Sequence, residues 1–320
     1  MLGALLALLS ATTFAVTNAS VRRGVLSGSA VQATTLSIPV GAPIFFLALL
    51  LTGDPGVLGH LPRGPLIAFC VTGLTHFVIG RYANYRAIGA IGTNLAGPVM
   101  QFNLVVSLAL AILFLGETLT VLRIVGILLI VAGPAAVSGE GKRAKPAETP
   151  RTFTPRMAEG YVCAAVAAVC YGLSPVLLRY AGGGRGLDVA LGGGVISASV
   201  ATVVVALSLF LPGHWREIRG VNARAAKWFL FSAVMVYVSQ IFYYMAISLA
   251  PVTIIAPISA FGTVIRIHVS RWMNPQHEMF GPRVVAATGL SFIGVIVLSV
   301  SADALPLPAA WSGFFAWHWP

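Results

Sequence analysis

The chain has 320 residues, of which 58% are hydrophobic and only 9% are charged, and its mean hydropathy is +0.90. Soluble domains carry about 25% charged residues, so this composition excludes a water-soluble protein and indicates an all-α integral membrane protein. The formal charge of +11 is then expected at basic loops beside anionic lipid rather than at nucleic acid.

Ten apolar segments approach the length of about 20 residues that a membrane-spanning helix needs. In chain order they are 2–21, 30–52, 65–87, 91–115, 119–138, 157–181, 187–212, 224–248, 250–272 and 281–301. The first segment lacks the basic beginning of a signal peptide and is interpreted as a retained helix. The three cysteines lie inside apolar runs without metal-ligand spacing, so neither a metal nor another cofactor is predicted.

A polar stretch divides the ten segments into two sets of five. Residues 139–156 hold five basic residues and three prolines and are interpreted as an exposed linker. The predicted domains are therefore 1–138 and 157–301, followed by a Trp- and Pro-rich tail over 302–320. Because five is odd, the second set must cross the membrane in the opposite sense to the first, as an inverted repeat.

Equivalent residues recur at a nearly constant offset, which indicates a duplication. The marker pairs are Tyr85/Tyr244 and Pro98/Pro257 at an offset of 159 residues, Glu117/Glu278 and Gly133/Gly294 at 161, and Phe14/Tyr171 and Arg22/Arg179 at 157. Two related halves of opposite orientation can enclose a site that opens to each side in turn. The duplication therefore favours a transporter.

Glu117 and Glu278 stand where one predicted helix ends and the next begins. A carboxylate there satisfies free backbone N–H groups and complements the helix dipole, and proton coupling is the alternative role. Each of the nine acidic residues falls in a loop or near a predicted helix end. This distribution disfavours an exchanger of lipophilic cations against protons, which needs a buried carboxylate.

Polar and aromatic residues cluster at equivalent positions of the third and eighth predicted helices. Residues 81, 84 and 85 share one helix face through their i, i+3, i+4 spacing, and the offset of 159 maps them onto residues 240, 243 and 244. The predicted substrate-binding residues are Arg81, Asn84, Tyr85, Tyr237, Gln240, Tyr243, Tyr244 and Arg266.

A charge at the centre of a spanning helix costs about 2.5–3.5 kcal/mol and needs partners or a wet cavity. We therefore predict a pocket in which Arg81 contacts an anionic group. The alternative places the cluster at the membrane interface, with Arg81 extended toward the headgroups. Arg266 either faces the same cavity or reaches the interface.

Two five-helix repeats with these markers resemble the EamA family of the drug/metabolite transporter superfamily. The resemblance covers about residues 2–301 and rests on Pro98, Glu117 and Gly133 in the first half and Pro257, Glu278 and Gly294 in the second. It implies a secondary transporter, an exporter or permease of small metabolites working by alternating access in the cytoplasmic membrane.

The expected partners are a small-molecule substrate and membrane lipids, with a monomer or a dimer as the functional unit. No catalytic or phosphate-binding motif occurs in the sequence, so an enzyme is not predicted. The alternative function is a flippase component for a lipid carrier, or a membrane enzyme acting on an anionic lipid through the basic loops.

The distribution of basic residues predicts the orientation. With ten helices, the side that holds both termini has only four, Arg63, Arg123, Arg179 and Arg185. Of the 20 in the chain, Arg81 and Arg266 lie inside helices, so the linker side holds the other fourteen. The positive-inside rule then places the linker in the cytoplasm and both termini outside, whereas the resemblance implies cytoplasmic termini.

We expect the orientation given by the charge count, with both termini outside, because juxtamembrane basic residues set the orientation of spanning helices. A reporter fused after Pro320 should be active only when it is of the periplasmic type. Activity of a cytoplasmic reporter alone would contradict the charge count.

Overall fold

In the computed structural model of the protein, the described secondary structure is helical apart from one pair of two-residue strands. It describes residues 1–100, 102–138 and 156–273, together with 289–290, 293–294, 297 and 318–319. Six described helical stretches are long and apolar enough to cross a membrane: Leu2–Val25, Ala30–Thr52, Arg63–Ile91, Met157–Gly182, Leu187–Ser208 and Ala223–Leu249. Two shorter apolar helices, Phe102–Leu115 and Val252–Arg266, accompany them.

The described part of the first half contains eight α-helices. They are α1 (Leu2–Val25), α2 (Ala30–Ser37), α3 (Gly41–Thr52), α4 (Val57–His60), α5 (Arg63–Thr72), α6 (Arg81–Met100), α7 (Phe102–Leu115) and α8 (Val121–Ser138). A 3₁₀ turn, Ile38–Val40, joins α2 to α3, and a π-helical segment, Gly73–Gly80, joins α5 to α6. Since Pro39 has no N–H to donate, the 3₁₀ turn falls where the helical ladder is interrupted.

The described part of the second half contains five α-helices. They are α9 (Met157–Gly182), α10 (Leu187–Ser208), α11 (His214–Arg219), α12 (Ala223–Leu249) and α13 (Val252–Met273). The predicted segments of this half agree with these bounds within about four residues. In the first half, the predicted break between residues 87 and 91 falls inside α6, which continues to Met100. The short helices α4 and α11 were not predicted.

Several predictions concern residues that are not described. Glu278, the tail up to 317, and the linker up to 155 lie outside the described residues, as does most of the predicted tenth helix, 281–301. At the end of the tail, β2 (His318–Trp319) pairs antiparallel with β1 (Leu119–Thr120), which follows α7.

The chain turns back near Ile91, although the helical backbone is continuous through α6. Contacts with α9 show the reversal, because Gly80 packs on Tyr171, while Gly160 packs on Ile91. Further along the chain, Val106 packs on Gly172. As the chain proceeds from Gly80 to Val106, the residue of α9 that it contacts changes from 171 to 160 and then back to 172. The chain therefore runs along α9 in both directions between Gly80 and Val106.

The first helix of each half packs against helices of the other half. In one set of contacts, α1 lies against α12, with Gly3 beside Ala250 and Gly24 beside Phe229. In the other set, α9 lies against α6 and α7, as the contacts near Ile91 and Gly172 show. Glycine lets two backbones approach closely in a membrane, where packing replaces the hydrophobic driving force.

Hydrogen bonds at the helix ends repeat in the two halves. The guanidinium of Arg22 donates to the carbonyl of Ile88 at 3.2 Å, and that of Arg179 donates to the carbonyl of Ile247 at 3.0 Å. These residues are equivalent at offsets of 157 and 159. Each arginine therefore satisfies a carbonyl near the end of the third pass of its own half, where helix carbonyls lack partners.

Glu117 caps a helix of the other half. Its carboxylate accepts hydrogen bonds from the backbone N–H groups of Val252 at 2.9 Å and Thr253 at 2.8 Å. These are the first residues of α13, so the carboxylate meets the positive end of that helix dipole. The sequence predicts that Glu117 caps the helix that follows it in the chain, α8. In the structure, Glu117 caps α13.

Substitution of Gly73 by alanine should destabilise the bundle. A Cβ at Gly73 would lie 2.5 Å from the carbonyl oxygen of Ser197 on α10, and relieving such overpacking costs about 1–3 kcal/mol. Thermal unfolding in detergent measures the effect. Gly59→Ala is the matched control, because its Cβ would meet nothing within 4 Å. Equal unfolding temperatures for the two variants would contradict the close packing of Gly73.

Candidate functional site

A cavity of about 120 Å³ lies in the middle of the bundle. Its walls come from α1, the π-helical segment, α6, α7, α9, α12 and α13. Polar groups on the wall include Asn18, His76, Asn103, Gln240, Tyr243 and Arg266. Phe14, Tyr171 and Pro175 supply aromatic and apolar surface. An apolar cavity with a few convergent polar groups is the usual form of a small-molecule site.

Three of the predicted substrate-binding residues line this cavity, namely Gln240, Tyr243 and Arg266. The structure thus favours the cavity position for Arg266 over the interfacial one. Four others, Arg81, Asn84, Tyr237 and Tyr244, are buried but do not form part of its wall. Tyr85 is buried as well and borders a second cavity.

Arg81 is held in the interior by aromatic side chains. It is 2% exposed, and its Nη1 donates a hydrogen bond to the hydroxyl of Tyr237 at 3.0 Å. Its guanidinium carbon lies 4.7 Å from the ring centre of Tyr237 and 5.0 Å from that of Phe77. Both distances suit cation–π attraction. The interfacial alternative for Arg81 is therefore wrong, since the side chain does not reach the surface.

Tyr237 connects Arg81 to a second polar group. The tyrosine hydroxyl accepts from Arg81 and donates to the carbonyl of Ile38 at 2.9 Å. That carbonyl lies in the 3₁₀ turn between α2 and α3. Arg81 Nη2 has no hydrogen-bond partner among the described residues, so the buried charge is only partly satisfied.

His76 lies at the candidate site, although it is not one of the predicted substrate-binding residues. It lies on the cavity wall, with its ring 4.7 Å from that of Tyr171 and its Nε2 3.1 Å from Gln240 Nε2. The backbone N–H of Arg81 donates to the carbonyl of His76, an i to i+5 bond typical of a π-helix. That bond brings residues five apart to neighbouring positions, whereas an α-helix would separate them.

The remaining predicted residues support the wall from behind. Asn84 Nδ2 approaches Asn18 Oδ1, a group on the wall, at 3.5 Å. The ring of Tyr244 packs 5.1 Å from that of Phe45, which in turn contacts the Tyr237 ring at 6.1 Å. The two predicted clusters thus meet, but mainly through packing behind the cavity.

The described charged groups on and behind the cavity wall are arginines. Arg266 stands on the wall and Arg81 behind it, and none of the described lining residues is acidic. Among the described carboxylates, Glu117 caps α13, and Glu159 pairs with Arg86 and Arg156 away from the cavity. In a medium of low dielectric constant, the Coulomb attraction between these arginines and a bound anion is stronger than in water. The cavity is therefore suited to an anion.

A second, more polar cavity of about 340 Å³ lies where α1 ends and α2 begins. Tyr85, Arg86, Arg156 and Glu217 border it. The carboxylate of Glu217 accepts from the hydroxyl of Ser29 at 2.5 Å. Because two arginines here are balanced by the carboxylates of Glu159 and Glu217, this cavity has no clear preference for the charge of a ligand.

The structural markers fall on several helices. Pro98 and Gly133 belong to α6 and α8, while Pro257 lies buried within α13. Gly294 falls in a short described stretch of helical backbone. Within the described ranges, no group of three His, Cys, Asp or Glu side chains is arranged to hold a metal.

Residues 1–139 match the model of the EamA-like transporter family. The first half of this chain is an EamA-like transporter domain. That domain places the protein in the drug/metabolite transporter superfamily. No curated protein matches the chain.

One solved crystal structure is similar over 92% of this chain and 96% of its own, with a TM-score of 0.64 and 17% sequence identity. At that identity the similarity shows a shared fold alone. The shared fold spans both halves of the chain.

Tyr237→Phe should destabilise the EamA-like bundle. Removing the hydroxyl leaves Arg81 Nη1 and the Ile38 carbonyl without their bonds, and a buried unpaired group costs about 1–3 kcal/mol. Thermal unfolding in detergent is the measurement. Tyr161→Phe serves as the control, since Tyr161 is 39% exposed. An unchanged unfolding temperature for Tyr237→Phe would show that this hydroxyl does not stabilise the buried Arg81 side chain.

Proposed function

We propose that the protein is a secondary transporter that moves a small anionic metabolite across the cytoplasmic membrane by alternating access. The proposal is supported by the central cavity, which both halves line and which has Arg266 and no carboxylate among the described residues of its wall. The proposal covers an exporter and a permease alike. It takes membrane lipids as the surroundings and a monomer as the functional unit, with a dimer as the alternative.

The directions of the helices support two inverted five-helix repeats, with the tenth helix over 281–301. Gly3 and Gly24 of α1 pack on residues 250 and 229 of α12, so these two helices are antiparallel. Since α12 lies two passes after α9, α9 and α12 run the same way. The equivalent helices α1 and α9 therefore run in opposite directions, as inverted repeats require.

The cavity lies at the expected axis between such repeats. Phe14 and Tyr171 are equivalent at an offset of 157 residues, and they contact each other edge to face with ring centres 6.4 Å apart. Equivalent residues can touch only near the axis that relates them. Both rings line the cavity, which agrees with a site that rocking of the two halves would expose alternately.

The two arginines are where the repeats differ. The offset of 159 pairs Arg81 with Gln240 and Arg266 with Ser107, so each charge has a neutral counterpart in the other half. A related backbone thus carries an asymmetric, positive lining. Such a lining attracts anions, and this Coulomb attraction is stronger in a dry interior than in water.

The carrier function is favoured over the enzyme and the lipid-flippase alternatives. An EamA-like domain is typical of transporters, and the candidate site is a cavity inside the bundle instead of a basic surface beside the lipid headgroups. The second, near-neutral cavity gives no separate support for an anionic lipid substrate.

Benzenesulfonate is a suitable probe of the cavity, because it combines an aromatic ring with a permanent negative charge. We expect it to bind the purified protein, and Arg266→Gln to weaken binding by about ten- to a hundredfold, the loss expected for a hydrogen bond to a charged group. Isothermal titration calorimetry measures both affinities. Arg185→Gln is the matched control, since Arg185 lies exposed in the turn before α10.

Proteoliposomes distinguish the carrier from the alternatives. A carrier should exchange labelled benzenesulfonate across the bilayer, and Arg266→Gln should slow that exchange. Binding of polyprenyl phosphate without movement of any water-soluble anion would overturn the carrier function.

A further inference from the structure

The described helices around the central cavity pack as two groups. In the first group α1 lies along α12, and Gly262 of α13 packs against Ala11 of α1. In the second group α9 lies along α6, and Gly172 of α9 packs against Val106 of α7. The contacts within each group extend over most of the length of α1 and α9, so each group can move as a unit.

The cavity lies between these two groups. The first group supplies one side of its wall, including Asn18, Gln240 and Arg266. The π-helical segment and the second group supply the opposite side, including His76 and Tyr171. A change in the angle between the groups would therefore open one end of the cavity and close the other without repacking either group.

Arg22 joins the two groups at one end of the bundle. It lies near the end of α1, and its Nη1 donates to the carbonyl of Ile88 on α6 at 3.2 Å. Two residues further along α1, Gly24 packs against Phe229 near the beginning of α12. The bond of Arg22 therefore lies at the end of the bundle where α12 begins, which is called the Arg22 face below.

Arg179, the counterpart of Arg22 in the repeat, joins the two groups at the other end. It lies near the end of α9, and its Nη1 donates to the carbonyls of Ile247 at 3.0 Å and Ser248 at 3.2 Å, near the end of α12. At a rise of 1.5 Å per residue, Phe229 and Ile247 are about 27 Å apart along α12, close to the hydrocarbon thickness of about 30 Å. This end is called the Arg179 face, and there Glu117 also joins the groups by capping α13.

Contacts between the groups midway along the bundle are suited to a pivot. Phe14 of α1 meets Tyr171 of α9 with ring centres 6.4 Å apart, and Tyr237 of α12 accepts from Arg81 of α6 at 3.0 Å. Distances near the axis of a rocking motion change least, whereas those at the two ends change most and in opposite senses. The bonds of the two arginines lie at those ends.

We propose that Arg22 and Arg179 are the two latches of the transport cycle, a latch being a side chain whose bonds hold one end of the cavity closed. Release of the Arg22 bond opens the cavity to the Arg22 face, and release of the Arg179 bonds opens it to the opposite face. Since each donor is charged, its bonds are roughly twice as strong as those between neutral groups. This inference rests on the alternating access of the proposed function and adds the side chains that control it.

Labelling of a cysteine in the cavity measures access from each face. Ser259 lines the cavity, so Ser259→Cys reports on it in a chain whose three native cysteines are replaced by alanine. The reagent is 2-sulfonatoethyl methanethiosulfonate, a thiol-specific anion that does not cross a bilayer. In intact cells it reaches the cavity from outside, and in inside-out vesicles it reaches the cavity from the cytoplasmic side.

Arg22→Gln and Arg179→Gln should each raise the labelling rate by about tenfold, the factor expected for loss of a hydrogen bond to a charged group, and they should do so from opposite faces. Arg86→Gln is the matched control at the Arg22 face, because the ion pair of Arg86 with Glu159 joins α6 to α9 within one group. Arg185→Gln is the control at the other face, since Arg185 is exposed. Neither control should change labelling from either face.

The outcomes separate the latches from the carrier function. Faster labelling from the same face in both glutamine variants would overturn the latches, and so would unchanged labelling in both, which is the result expected if the arginines only satisfy helix-end carbonyls. If one variant does not fold, the other still decides, because it must open one face and leave the opposite face unchanged. Benzenesulfonate exchange by the unmodified protein without these labelling changes would overturn the latches alone, whereas loss of that exchange in the unmodified protein would contradict the carrier function itself.

Discussion

The buried guanidinium of Arg81 is the constraint around which the interior is arranged. A charge inside a membrane protein needs partners, because neither lipid nor a dry core can solvate it. Here the partners are a hydroxyl and two aromatic rings, and the hydroxyl of Tyr237 comes from the other half of the chain. One positive charge thus ties α6 to α12 and, through the Ile38 carbonyl, to the turn between α2 and α3.

Contacts between halves also satisfy the ends of the helices. Glu117 accepts from the first N–H groups of α13, while Arg22 and Arg179 donate to carbonyls near the ends of the third passes. In a membrane such end groups have no water to replace a missing partner. Among the described carboxylates, Glu117 is engaged at a helix end and Glu159 in ion pairs, whereas the charged group on the described cavity wall is Arg266. This distribution is the basis of the proposed preference for an anion.

Helices were predicted well because length and hydropathy alone decide where a chain can cross a bilayer. The cluster at residues 81 to 85 and its counterpart were also recognised, and Arg81 and Tyr237 do meet. The cavity wall was predicted less well. The prediction used α-helical spacing throughout, but the segment from Gly73 to Gly80 is π-helical and changes which residues share a helix face. As a result, His76 lies near Arg81 in the helix and lines the cavity. No local propensity marks such a segment in advance.

The sequence by itself indicated a helical membrane protein, most of its described apolar helices and the pairs of residues that recur at a nearly constant offset. These properties follow from hydrophobic length and internal repetition, which are local or linear along the chain. Only the tertiary structure decided which side chains face the cavity, that Arg81 stands behind the wall while Arg266 stands on it, and that Glu117 caps α13. Those outcomes depend on the rotation and packing of helices far apart in sequence, and no pattern within one helix encodes them.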